Sequence, residues 1–129
     1  MFSLDIGCGL NASGEVNCDI THQKASNFIL CDGEHLPFQN EIFSVVYANH
    51  VIEHVRNPYR FLSEALRVSD RRVLIRTPYR FSIGAKKSNH LHYFNKKWFY
   101  QQLKDYSKRI VIDYHFPQLL EINVDVMKG

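Results

Sequence analysis

No stretch of this chain approaches the roughly 18 successive apolar residues that a membrane-crossing helix needs, so no membrane role is expected. Met1 runs almost straight into an apolar strand-like segment, so no signal peptide is expected. Cysteine is scarce. Cys8, Cys18 and Cys31 are an odd set in no metal-ligand spacing, which argues against a disulfide framework or a zinc cluster and fits reduced thiols in the cytoplasm. Internal repeats, low-complexity tracts and linker-like runs are absent, so one domain over residues 1–129 is expected. Basic residues are nearly missing from the first part. Residues 1–55 hold one Lys against seven acids, whereas residues 56–129 hold 15 Lys or Arg against six acids. That second half is either a set of solvated faces or a basic side that meets an anionic acceptor.

What is present suits a globular domain, with 45% hydrophobic and 22% charged residues. Short strands are expected at Phe2–Ile6, Val16–Asp19, Phe28–Asp32, Phe43–Ala48 and around Val73-Leu74-Ile75. Two more are expected near Arg109–Phe116 and Leu119–Met127, divided at Pro117. One helix starts at Asn57, a good cap, with Pro58 in the first helical position; Phe61, Leu62, Ala65 and Leu66 form its apolar stripe. A second is capped by Asn95 and turns Phe99, Leu103 and Tyr106 to one side.

The first three connections are short. About nine, eight and ten residues separate the first four strands, where a parallel crossover ordinarily takes a dozen or more. The early strands also alternate: Phe2-Ser3-Leu4-Asp5-Ile6 and Glu15-Val16-Asn17-Cys18-Asp19 switch between apolar and polar residues. Strands covered on both faces read instead as continuous apolar runs. A sheet with helices mainly on one face is expected. The other face would be partly polar, covered by irregular loops, or packed against a second copy in a homodimer.

Leu4-Asp5-Ile6-Gly7-Cys8-Gly9 is an apolar run containing an acid and ending in a glycine turn, where the backbone can approach a ligand closely. Asp19 ends the second strand and Asp32 the third. Gly33-Glu34-His35-Leu36-Pro37-Phe38 follows, then Phe43 to Ala48, then Asn49-His50-Val51-Ile52-Glu53-His54-Val55. This ordered series resembles the class I S-adenosylmethionine-dependent methyltransferases, most closely their small-molecule branch, from about Phe2 to Tyr79 and more loosely beyond. The resemblance implies an α/β fold: a Rossmann-like, mostly parallel seven-stranded sheet in the order 3-2-1-4-5-7-6, its last strand antiparallel. It implies S-adenosylmethionine as cofactor and S-adenosylhomocysteine as product. Asp19 would take the ribose diol, the place dinucleotide folds also give to an acid. Gly7, Cys8 and Gly9 would underlie the methionine part, and Asp5 would orient the loop or reach the amino group. Asp32 would accept from the adenine amine beside the Gly33 amide, with Leu36 and Phe38 as apolar walls; Ile20 and Asn49 complete the set. After Gly9, Leu10-Asn11-Ala12-Ser13-Gly14 departs from the family pattern, since the helix that ordinarily follows is absent.

Methyl transfer chiefly asks the protein to align nucleophile and methyl group and to exclude water. Where the acceptor needs a base, Asn49 and His50 just past the fourth strand, and His90, His92 and Tyr93 after the fifth, are the candidates. His50-x-x-Glu53-His54 also matches an inverted zinc-protease pattern, but no further carboxylate ligand is marked, so no metal is expected. The acceptor is expected to be a small molecule. The other readings are a non-catalytic protein of this fold acting through a cofactor or partner, and a nucleic-acid module using the aromatic-rich basic half.

Overall fold

The computed structural model describes residues 2–10, 12–79, 92, 94–115 and 119–128. Among these residues seven strands form one sheet: β1 (Phe2–Ile6), β2 (Val16–Asp19), β3 (Phe28–Leu30), β4 (Phe43–Asn49), β5 (Ser69–Pro78), β6 (Ser107–His115) and β7 (Leu119–Met127). Their order is β3-β2-β1-β4-β5-β7-β6. Pairings from β3 to β5 are parallel, while β7 runs antiparallel to both β5 and β6. This is the expected Rossmann-like sheet. Helix α1 (Pro58–Val68) joins β4 to β5, and α2 (Lys96–Gln102) precedes β6. No helix among the described residues is long and apolar enough to cross a membrane.

Both helices start where their caps lie. Asn57 Oδ1 accepts from the Arg60 amide at 3.1 Å, and Asn95 Oδ1 accepts from the Trp98 amide at 3.0 Å. The strand periodicity of two sends Leu4, Ile6, Cys18, Val46, Ala48, Val73, Ile75, Ile122, Val124 and Val126 to one face. There they form a single core with Phe61, Leu62, Ala65 and Leu66 of α1 and with Phe99 and Leu103 at α2. β5 is longer than Val73-Leu74-Ile75 suggests, because its charged ends are paired in the ladder too. Arg72 lies level with Met127 and Pro78 with Glu121.

The opposite face carries no helix among the described residues, and its inward-lying positions are polar. Asp5 and Asn17 are level with each other and both nearly inaccessible. They act as hooks. Asp5 Oδ2 accepts from the Ser13 amide at 2.8 Å, and the Asn17 amide group binds Gly14 on both its N–H and C=O and also Ser26 C=O. Ser3 Oγ accepts from the Glu15 amide at 3.1 Å. Irregular loops thus cover the β1–β2 part of this face where helices are missing. The remainder is an open groove of about 580 Å³ floored by Tyr47, Leu74, Arg76, Arg109, Val111 and Asn123. Arg72 makes two bonds to the Asp125 carboxylate, at 3.2 and 2.7 Å, and Arg76 donates to Asn123 Oδ1 at 2.8 Å.

Candidate functional site

The carboxyl ends of β1, β2 and β4 meet at a cleft of about 570 Å³. In an open parallel sheet this is where the order of strands reverses and where ligands collect. Gly7, Asp19, Ile20, Asp32, Gly33 and His50 line it, six of the residues singled out from the sequence.

Gly7 leaves β1 with φ of +66°, and Gly9 follows with +54°. A Cβ on Gly7 would lie 2.4 Å from Val51 Cγ2, so only glycine lets the turn pass beneath the β4 connection. Asp19 holds the turn in place. Its Oδ2 accepts from the Gly9 amide at 3.0 Å and its Oδ1 from the Thr21 amide at 3.1 Å. Each oxygen keeps a second lone pair for a hydroxyl donor. Asp32 is exposed, with Oδ1 accepting from the Glu34 amide at 2.9 Å. Gly33 is pressed against α1, since a Cβ there would come within 2.7 Å of the Phe61 ring.

Other expected members lie elsewhere. Asp5 is buried behind the turn and orients the loop at Ser13; burial is the main cause that pushes its carboxyl above the ordinary range. Cys8 is buried, its amide donating to Cys18 C=O at 3.0 Å, and Gly9 also stays off the lining. Asn49 belongs to the groove on the helix-free face. Leu36 and Phe38 are not walls of the cleft. Leu36 is core, and Phe38 stacks edge-on against Phe43 at 4.9 Å. The reason is a grip from α1: Arg67 donates to the carbonyls of Phe38 and Leu36 at 2.7 and 3.0 Å, while Glu64 accepts from the Leu36 amide at 2.9 Å. Tyr93 and His90 lie outside the described residues.

The cleft's remaining wall is the turn after β4: Val51, His54, Val55 and Arg56, joined by Ile6, Cys31 and Glu34. Residues 51–56 form a turn and not the helix on which His50 and His54 would share one face as metal ligands. His92 braces this turn from outside the lining. Its ring Nε2 lies 2.8 Å from Val55 C=O, and its amide donates to Glu53 C=O at 3.2 Å. Cys31 is paired with Cys18 behind it. The interaction with Cys31 is the first cause, ahead of burial, that holds the Cys18 thiol well above its ordinary range, and the same interaction lowers Cys31; both remain free thiols.

His50 sits at the inner end with φ of +56°, its amide donating to Arg76 C=O at 2.7 Å. Its ring lies between two buried acids: Nδ1 is 3.5 Å from Glu53 Oε2, and Nε2 contacts Glu121 Oε2. Glu53 also accepts from Thr77 Oγ1 at 3.1 Å. Hydrogen bonding to Glu53 is the largest cause that raises the His50 pKa above its ordinary value, with Glu121 adding to it against the opposing effect of burial. Glu121 carried no signal in the sequence, because its partner lies 71 positions away in the chain, just past β4, and only the sheet brings them together.

The sequence matches a methyltransferase domain family over residues 11–74. The whole fold is shared with solved methyltransferases at low identity. An S-adenosylmethionine-dependent methyltransferase from Thermotoga maritima superposes with a TM-score of 0.76 at 14% identity, over 98% of this chain and 82% of that one. Over residues 11–74 the chain is similar to the methyltransferase domain family, and the fold it builds is the one these solved S-adenosylmethionine-dependent methyltransferases share. Another family structure, from Methanosarcina mazei, gives a TM-score of 0.70 at 16% identity, over 98% and 91% of the two chains. A magnesium protoporphyrin IX methyltransferase from Synechocystis, solved with bound S-adenosylhomocysteine, gives 0.71 at 12% identity, over 100% and 74%. An uncharacterized methyltransferase of Mycolicibacterium vanbaalenii is 38% identical over 50 residues, 39% of this chain and 20% of that protein. The chain therefore matches about one fifth of the length of that curated relative.

Proposed function

We propose that the cleft binds S-adenosylmethionine and that the chain supports methyl transfer to a small-molecule acceptor. The observation that carries this is Asp19, fixed by two backbone amides at the end of β2 with a lone pair left on each oxygen, facing a glycine turn that a single Cβ would block. Those residues fit the cofactor: a diol binds a carboxylate through two donors, and the Gly7 turn leaves space beneath the methionine part. When bound there, the cofactor supplies an electrophilic sulfonium methyl group. Asp32 and Gly33 hold the adenine end, and Ile20 covers the ring. The acceptor enters from the side of His50 and His92, past the turn 51–56. The basic second half of the chain favours an anionic acceptor.

Calorimetric titration with S-adenosylmethionine and with S-adenosylhomocysteine tests this. Micromolar binding is expected, and Asp19→Ala should weaken it about tenfold or more, the worth of a charge-assisted hydrogen bond. A folded protein that binds neither ligand would remove the enzyme reading and leave a partner-binding protein of this fold. A homodimer through the helix-free face belongs to the same reading. Both signs of charge alternate across that face, which lets two copies pair. Sedimentation at micromolar concentration checks it, and a monomer mass would exclude that dimer.

A further inference from the structure

We infer that His50 is a positioning residue that ties the cleft wall to β7, with both ring nitrogens facing the carboxylates of Glu53 and Glu121, and that it does not take a proton from the acceptor. The argument is one of donors and acceptors. A neutral imidazole has one N–H and one lone pair. Both nitrogens of His50 face carboxylate oxygens, Nδ1 that of Glu53 at 3.5 Å and Nε2 that of Glu121. A lone pair aimed at a carboxylate is repelled, so the arrangement asks for the doubly protonated ring.

Burial makes the demand stronger. Glu53 is 1% and Glu121 3% exposed, and Glu53 Oε2 has only the His50 and His54 rings near it, at 3.5 and 3.8 Å, beyond a close hydrogen bond. A buried carboxylate without a donor is costly unless a cation stands beside it. Among the described residues, these charged and titratable groups stand around His50. Its own turn brings Glu53 and His54, whose Nε2 is 3.8 Å from Glu53 Oε2. β7 brings Glu121. β5 presents the Arg76 carbonyl, while the Arg76 guanidinium reaches away to Asn123. Asp19, Asp32, Glu34 and Arg56 complete the charges of the same cleft. The strained positive φ of His50 fits a residue held from both sides.

The consequence is mechanical. Glu53 is bonded to Thr77 on β5 and lies within the turn 51–56 that walls the cleft. Glu121 belongs to β7. His50 joins the two, and losing its proton would leave two buried acids facing a neutral ring. The wall would then loosen above the His50 titration. The effect on the cofactor rests on the functional reading above; the charge state of His50 does not.

Two measurements on the free, full chain separate these. NMR of the imidazole nitrogens across about pH 5 to 9 should show His50 doubly protonated at neutral pH and titrating above the ordinary value of about 6.5. Glu121→Gln, which is nearly isosteric, should bring that midpoint down by about one pH unit or more. Glu53→Gln should act in the same direction, a second route if the first variant fails to fold. Calorimetry should show S-adenosylmethionine affinity falling as wild-type His50 deprotonates and the midpoint of that fall moving down in Glu121→Gln. A His50 that is neutral at pH 7, or that titrates alike in wild type and both variants, would overturn the inference. Absence of cofactor binding with the expected titration would instead overturn the functional reading and leave the bridge intact.

Discussion

Asp5 shows how one side chain replaces a missing element. It stands mid-strand in a buried position and accepts the Ser13 amide, so it holds the loop that covers β1 and β2. Burial raises its carboxyl pKa, with the hydrogen bond from Ser13 opposing and Asp19 adding to the rise. The folded chain therefore binds this proton more tightly than the unfolded chain does. Its contribution to stability is greatest below the ordinary Asp value and is lost as pH rises through the raised one. Asparagine keeps an acceptor for Ser13 and does not titrate. Asp5→Asn should therefore gain on wild type as pH rises from about 3.5 to 7, by about 1 kcal/mol for each pH unit separating folded and unfolded pKa. Urea unfolding at the two pH values measures this. A stability difference that does not change with pH would show that Asp5 titrates as in the unfolded chain. The sequence marked Asp5 as a site residue because it precedes the glycine turn. Of the two roles the sequence offered, orienting the loop or reaching an amino group, the bond to Ser13 is a loop-orienting contact.

Helix α1 serves the cleft from behind. Its Phe61 is fully buried and lies against Gly33, and its Arg67 and Glu64 hold the segment from Leu36 to Phe38. The element was legible because its signals are local: Asn57 and Pro58 at the start and an apolar stripe of period 3.6. Asn57→Ala removes the acceptor for the Arg60 amide and should cost about 1 kcal/mol in urea unfolding. A cost near zero would mean that the first turn is held by Pro58 and packing alone. The order of strands was legible only through the family resemblance, which the succession of Gly7, Asp19 and Asp32 at strand ends carries. The turn 51–56 was not, because Val51, His54, Val55 and Arg56 reach the cleft only through the parallel pairing of β1 with β4. Nor was the inward turn of Leu36 and Phe38, which follows from Arg67 nearly 30 positions on.

Across the whole molecule, charge is divided along the chain. The acidic first half supplies Asp19, Asp32 and Glu34 to the cleft lining, and among the described lining residues Arg56 is the one Arg or Lys side chain. The cleft thus presents more acid than fixed base, although the chain as a whole carries a formal charge of +3. S-adenosylmethionine has a sulfonium charge that S-adenosylhomocysteine lacks, so the two differ by one positive charge at nearly equal shape. Acids within about 8 Å of that charge act on it inside the screening length of physiological salt, and added salt weakens them. Raising NaCl from about 0.05 to 0.5 M should therefore weaken S-adenosylmethionine about threefold more than it weakens S-adenosylhomocysteine. Paired calorimetric titrations at the two salt concentrations read the ratio directly. Equal weakening of both ligands would mean that His50, as a cation between Glu53 and Glu121, together with Arg56 already balances the acids of the cleft. The opposite order would place the sulfonium nearer the basic half of the chain than Asp19 and Asp32 allow.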